Sequence, residues 1–294
     1  MTTLLLLAFA LAMTGSSALA HGTPSSPASW TLDPILTLPL ALTLLVFLVG
    51  RIRLAKRASS SRPGALRFVA GWTVLALALV SPLHEAGERS FTMHMIEHEL
   101  IMLVATFLLA ASNSGGVMAW GLPCAFRQAL GGRWKSPLQS IWRLLTEPVT
   151  ATLVQAATLW LWHAPVLFDR ALDRFAWHVA QHASFFIASW LFWWAMLHPR
   201  NGRAGYGVSA ACLMFTSLVG GALGALMSLS SSPWYADYAA MGMSGIGLDP
   251  IDDQRLAGLI MWIPGGLVHG VAALGLFYKW FKFAETSHAA LSAR

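Results

Sequence analysis

The chain predicts an all-α membrane protein, a polytopic bundle of about seven transmembrane helices behind an N-terminal signal sequence. Three observations carry this prediction. Of the 294 residues 56% are hydrophobic and only 11% charged, with mean hydropathy +0.59, against ~25% charged residues in a soluble globular chain. Apolar stretches recur along the chain, each close to the ~20 residues that cross a bilayer core. Lysine and arginine gather in alternate connections, the pattern that orients membrane helices. In a soluble protein a net charge of +6 would point to nucleic acid; here it follows from where the basic residues lie, and no nucleic-acid partner is expected. Cys124 and Cys212, with no Cys-x-x-Cys, indicate neither a disulfide framework nor a thiolate metal site.

Residues 1–20 combine an apolar core with the small-residue ending Ala18-Leu19-Ala20 and read as a signal peptide. Residues 21–33 follow as an extracytoplasmic segment, 34–282 as the seven-helix membrane domain and 283–294 as a cytoplasmic tail. The expected spans lie near residues 34–50, 65–82, 91–112, 149–166, 177–197, 206–230 and 256–280. Asp33 and Pro34 form an N-cap and first-turn proline for the first span. Residues 113–126 are apolar enough for a helix extension or a re-entrant piece. Of the basic residues, all but Arg89, Arg170, Arg174 and Arg255 fall in the first, third and fifth connections or the tail. Only Glu147 and Glu285 among the acidic residues join them. The reading is a multi-pass protein with an extracytoplasmic N-terminus and a cytoplasmic C-terminus.

This topology gathers the histidines. His94 and His98 open the third span, and His178 and His182 open the fifth. Both doublets read His-x-x-(Glu/Gln)-His. Four residues apart on a helix, paired imidazoles share one face. His84 ends the second span and His163 lies near the end of the fourth, so all six fall toward the extracytoplasmic surface. Polar side chains at the edge of a low-dielectric slab are costly and tend to be functional. Neutral imidazole ligates iron, zinc and copper alike. A thioether such as Met93 or Met95 tilts the choice toward Cu(I), which makes copper the expected cofactor. Asp252, Asp253 and Gln254 precede the last span, where carboxylates favour a helix N-terminus; Asp253 is also a further candidate at the metal. Pro264, Gly265 and Gly266 are placed to kink the last helix and allow close contact, with His269 about one turn deeper.

Two enzymatic or redox readings use the same residue type. A membrane di-iron oxygenase or desaturase also uses spaced histidine boxes, but a His-His doublet is missing and the pairs face away from cytoplasmic electron donors. A b-type haem carrier needs one axial histidine from each of two facing helices. Zinc metalloprotease chemistry lacks its motif: Glu99 follows His98, but no His-Glu-x-x-His is present.

The strings HMIEHELIML, WHAPVLFDRAL followed by HVAQHASFFIASWLFWW, and DQRLAGLIMWIPGG resemble the CtaG family of cytochrome c oxidase assembly factors. The similarity runs from about Ser81 to Phe281. It implies a non-catalytic role in maturing a haem-copper oxidase in the bacterial inner membrane, by supplying copper to its metal centres. The implied partners are oxidase subunits, membrane lipid and periplasmic copper carriers. By position, His94 and His98 match the first histidine pair, His163 the Trp-His-x-Pro string, His178 and His182 the second pair, and Asp253 and Gln254 the acidic string. Ala257 stands where the pattern has the first glycine of a pair, and the Met241-Gly242-Met243 loop is an addition.

Overall fold

The computed structural model describes residues 29–55, 62–132, 135–200 and 202–292, all of its regular elements being helical. The expected signal peptide lies outside the described residues. Helix α1 (Pro34–Ala55) starts as expected: Asp33 Oδ1 accepts from Ile35 N at 2.7 Å, with Pro34 in the first turn. Helix α2 (Arg62–Val80) returns, and a short α3 (Pro82–Gly87) is capped by Ser81. Helix α4 (Phe91–Glu99) carries the first histidine doublet. It runs into a π-helical turn over Leu100–Ala105 and then α5 (Thr106–Ala111).

At Asn113 the backbone takes φ 48° and the chain reverses. The short α6 (Gly115–Gly121) then packs back against α1, where Gly50 and Gly121 let the two backbones meet. The apolar stretch over 113–126 thus turns back onto α1 and does not extend the third span. Helices α7 (Cys124–Gly131) and α8 (Lys135–Leu145) lead to α9 (Pro148–Trp162), whose N-terminus Glu147 caps through Thr150 N at 2.7 Å. Helix α10 (Pro165–Asp173) is bent 73° from α9. Pro165 explains the break: it has no N–H to continue the ladder, and it forces the residue before it out of the helical region. Ala164 accordingly sits at φ −64°, ψ 127°.

Helix α11 (Phe175–Leu197) carries the second doublet. Helices α12 (Gly202–Leu229), α13 (Ala236–Met241) and α14 (Pro250–Ser292) complete the chain. The most extensive helix pairing is α12 against α14. They cross where Gly224 meets Gly258: a Cβ on Gly258 would lie 2.5 Å from the Gly224 carbonyl oxygen. Small residues permit this approach in the way typical of membrane helix pairs.

The expected count of seven spans is not confirmed. Among the described residues five helices are long and apolar enough to cross a membrane, and α9 with α10 makes a sixth if the bent pair is one span. The stretch 177–197 lies in the 23-residue helix α11. With two histidines, Gln181 and four tryptophans in that stretch, it is not among the five. It is also enclosed by protein, with Gln181, His182, Ser189 and Trp193 all buried. Such a helix answers to its neighbours rather than to lipid. Helices α1, α12 and α14 instead expose Leu38, Leu45, Leu218, Val271 and Leu274, the outward apolar surface expected of segments in contact with hydrocarbon.

Candidate metal centre

The two doublets are brought face to face. His94 and His98 project from α4 with ring centroids 4.3 Å apart, one turn separating them. His182 on α11 lies 4.9 Å from His98 and 5.8 Å from His94, centroid to centroid. His94, His98 and His182 each offer a ligand atom within 4.8 Å of the other two, and all three are buried. His178, one turn before His182, packs 5.7 Å from His94 and 5.2 Å from His84. The sequence therefore named a set of residues that the fold assembles: His84, His94, His98, His178 and His182 form one contiguous group.

Local chemistry explains how each element is held. Asp253, at the start of α14, accepts from Phe91 N at 2.7 Å, Thr92 N at 3.2 Å and Ser90 Oγ at 3.0 Å. It thus caps α4 with a charge on its positive end. Both its oxygens are engaged there, so the structure gives Asp253 a helix-positioning place and not one among the clustered imidazoles. The N-terminus of α14 itself is capped by Asp249, through Ile251 N and Asp252 N. Gln254 accepts from Trp234 N at 2.6 Å and donates to Met227 O and Ser232 O, strapping down the loop before α13. Gly87 lets α3 come down on α4, since a Cβ there would sit 3.2 Å from His94 Cα.

Other sequence candidates lie to the side. His163 ends α9, its Nδ1 donating to Leu159 O at 2.7 Å, and its ring sits between Phe168 and Phe185. It is buried near the cluster but outside the triad. Met95 is packed with Phe91, Phe168 and Tyr235 in the apolar core below the site, and Met93 is half-buried. Met241 and Met243 are exposed. His269 stacks on Trp193 at 5.4 Å with an interplanar angle of 10°.

One group that sequence reasoning did not select sits at the centre. Glu97 is fully buried, and its Oε1 is 2.7 Å from His84 Nδ1 and 3.6 Å from His182 Nε2. Burial works against a charge on His84, but the hydrogen bond and charge of Glu97 outweigh it and raise the His84 pKa above the ordinary value. The signal was present in the His-x-x-(Glu/Gln)-His repeat, because the fourth position of each doublet turns inward with the histidines. Gln181, its counterpart on α11, is fully buried too.

The donor set fits a metal ion. Both ring nitrogens of His98, Nε2 of His178 and of His182, and Glu97 Oε2 are buried without a hydrogen-bond partner, while Gln181 and His94 lie within hydrogen-bonding reach of each other. Each such atom costs ~1–3 kcal/mol. Buried polar atoms gathered in this way are satisfied by an ion or by ordered water. Neutral imidazoles with free lone pairs are the ligand form that transition metals take.

Comparison with known proteins supplies relatives. The chain is 24% identical over 265 residues to the uncharacterized proteins Mb0105 of Mycobacterium bovis and MT0111 of Mycobacterium tuberculosis, covering 86% of this chain but 39% of theirs. It thus spans about two fifths of the curated relatives it matches. No solved structure matches. Residues 45–282, which hold the whole helical scaffold of the histidine cluster, match the model of the cytochrome c oxidase caa3 assembly factor family (Caa3_CtaG), and the chain belongs to that family.

Proposed function

We propose that this assembly factor binds copper at His94, His98 and His182 and helps supply it to the metal centres of the oxidase, from the extracytoplasmic side of the bacterial inner membrane. The observation that carries the reading is the triad itself. Three buried imidazoles from two helices present ligand atoms within 4.8 Å of one another, near the ~3.3–4 Å that two ligand atoms on one ion with ~2 Å bonds span. Membership of the caa3 assembly factor family supplies the client, an oxidase under construction. The role is non-catalytic: a carrier needs ligands selective enough to hold the ion and few enough to release it. Imidazoles are suited to this, because the neutral ring is the ligating form and protons compete with the ion for it.

The test is metal analysis of the purified protein beside the His98→Ala/His182→Ala double variant. The wild type is expected to retain copper and the variant to lose it while remaining folded. In cells lacking the native copy, the variant is expected to fail in restoring oxidase activity. Full restoration by the double variant would refute the reading.

A further inference from the structure

We propose that the cavity where α1, α2 and α6 meet is a binding site for an anionic phospholipid, with Arg51 holding the phosphate. The cavity has a volume of about 430 Å³. Its lining joins two chemistries: Phe47, Leu54 and Val117 present hydrocarbon, while Arg51, Ser112 and Ser114 present polar groups. A molecule with a phosphate at one end and acyl chains at the other satisfies both. The guanidinium is a planar fork of donors that matches phosphate oxygens. Gly116 leaves the space open, since it lines the cavity and a Cβ there would meet nothing within 4 Å.

Charge complementarity selects an anion. The chain carries no aspartate or glutamate from residue 34 to 80 or from 100 to 146, the stretches that supply every lining residue. Neighbouring arginines close helix ends and add to the positive potential: Arg53 Nη1 donates to Trp120 O and Leu122 O, each at 3.1 Å, and Arg67 Nη1 to Ala111 O at 3.2 Å. The surroundings select a lipid over a free anion. Helices α1 and α2 are both long and apolar enough to cross a bilayer, and Leu48 and Ile52 are exposed in the turns around Arg51. Basic pockets between membrane helices are where anionic headgroups bind. Ser112 follows the far end of the Phe91–Ala111 span from His94, so this site stands apart from the histidine cluster and does not depend on the copper reading.

The experiment follows lipid binding to the full chain in detergent by native mass spectrometry, with phosphatidylglycerol, with phosphatidylcholine of the same acyl chains, and with inorganic phosphate. Wild-type protein is expected to bind phosphatidylglycerol about fivefold more tightly than phosphatidylcholine, the preference that one basic residue gives for an anionic headgroup. Arg51→Gln is expected to remove that preference and leave phosphatidylcholine binding unchanged. Gly116→Phe keeps the arginine but fills the cavity, and is expected to weaken phosphatidylglycerol by at least about fivefold. Equal binding of the two lipids by the wild type, a result that needs no variant to fold, overturns the proposal. Unaltered phosphatidylglycerol binding by folded Gly116→Phe overturns it too, because the preference would then belong to the basic surface at large. A preference kept by folded Arg51→Gln overturns the role of that residue. Inorganic phosphate bound as tightly as the lipid overturns the choice of a lipid as occupant.

Discussion

Asp253 Oδ2 accepts a 2.7 Å hydrogen bond from Phe91 N, tying the start of the last long helix to the start of the helix that carries His94 and His98. The two residues are 162 positions apart in sequence, so the orientation of the first histidine doublet depends on the final element of the fold. With Thr92 N and Ser90 Oγ also directed at this carboxylate, the helix that carries both histidines is tied down at its start.

Asp253→Ala is therefore expected to destabilise the protein by ~3 kcal/mol, because several buried donors lose their acceptor together. Copper affinity should fall as well, though no ligand has been removed. Thermal unfolding in detergent, with metal titration beside it, checks both. An unchanged melting temperature would mean that water replaces the carboxylate without cost.

His163 and His98 separate a neighbour from a ligand. His163 has its Nδ1 committed to Leu159 O and its ring between two phenylalanines. His163→Asn is expected to change copper affinity less than about threefold, whereas His98→Ala removes one of three nitrogen ligands and should reduce it by well over tenfold. Equal losses from the two substitutions would place His163 inside the coordination sphere.

The α12–α14 crossing gives a packing test. A methyl group on Gly258 would press on Gly224 O and Ser228 Oγ, each at 2.5 Å, while nothing lies within 4 Å of the corresponding position at Gly270. Gly258→Ala is expected to cost ~1–3 kcal/mol through overpacking. Gly270→Ala, in the same helix, should be neutral or slightly stabilising. Unfolding curves for the two single variants settle the comparison.

After the first histidine doublet, the π-helical turn over Leu100–Ala105 carries the Met102 carbonyl oxygen. It accepts from Trp193 Nε1 at 2.9 Å and from Thr106 Oγ1 at 2.6 Å. Trp193→Phe or Thr106→Val alone should cost ~1 kcal/mol, since one donor remains. The double variant should cost more than the sum, which a double-mutant cycle on thermal stability would detect. Additive losses would show that the two donors act independently.

Much of this protein was legible before any coordinates. The membrane class followed from composition. The start of α1 followed from Asp33-Pro34, whereas the break at Pro165, inside the expected fourth span, emerged only with the structure. The two doublets announced a shared face by their spacing of four. What depends on nearest neighbours in sequence, or on the helical period, can be read from the chain itself.

The rest was decided in three dimensions. Helix α11 tolerates its polar residues because other helices enclose it: Gln181, His182 and Ser189 are all buried. Asp253 looked like a cap for its own helix, but it caps another across 162 positions, and Asp249 does the local work. In the sequence Glu97 is only the fourth position of the first doublet; packing places it between His84 and His182. The sequence alone determined that this is a membrane helix bundle with paired imidazoles at helix starts. Tertiary structure decided which imidazoles meet, because the spacing between side chains on different helices is set by packing, and no local rule of the chain encodes it.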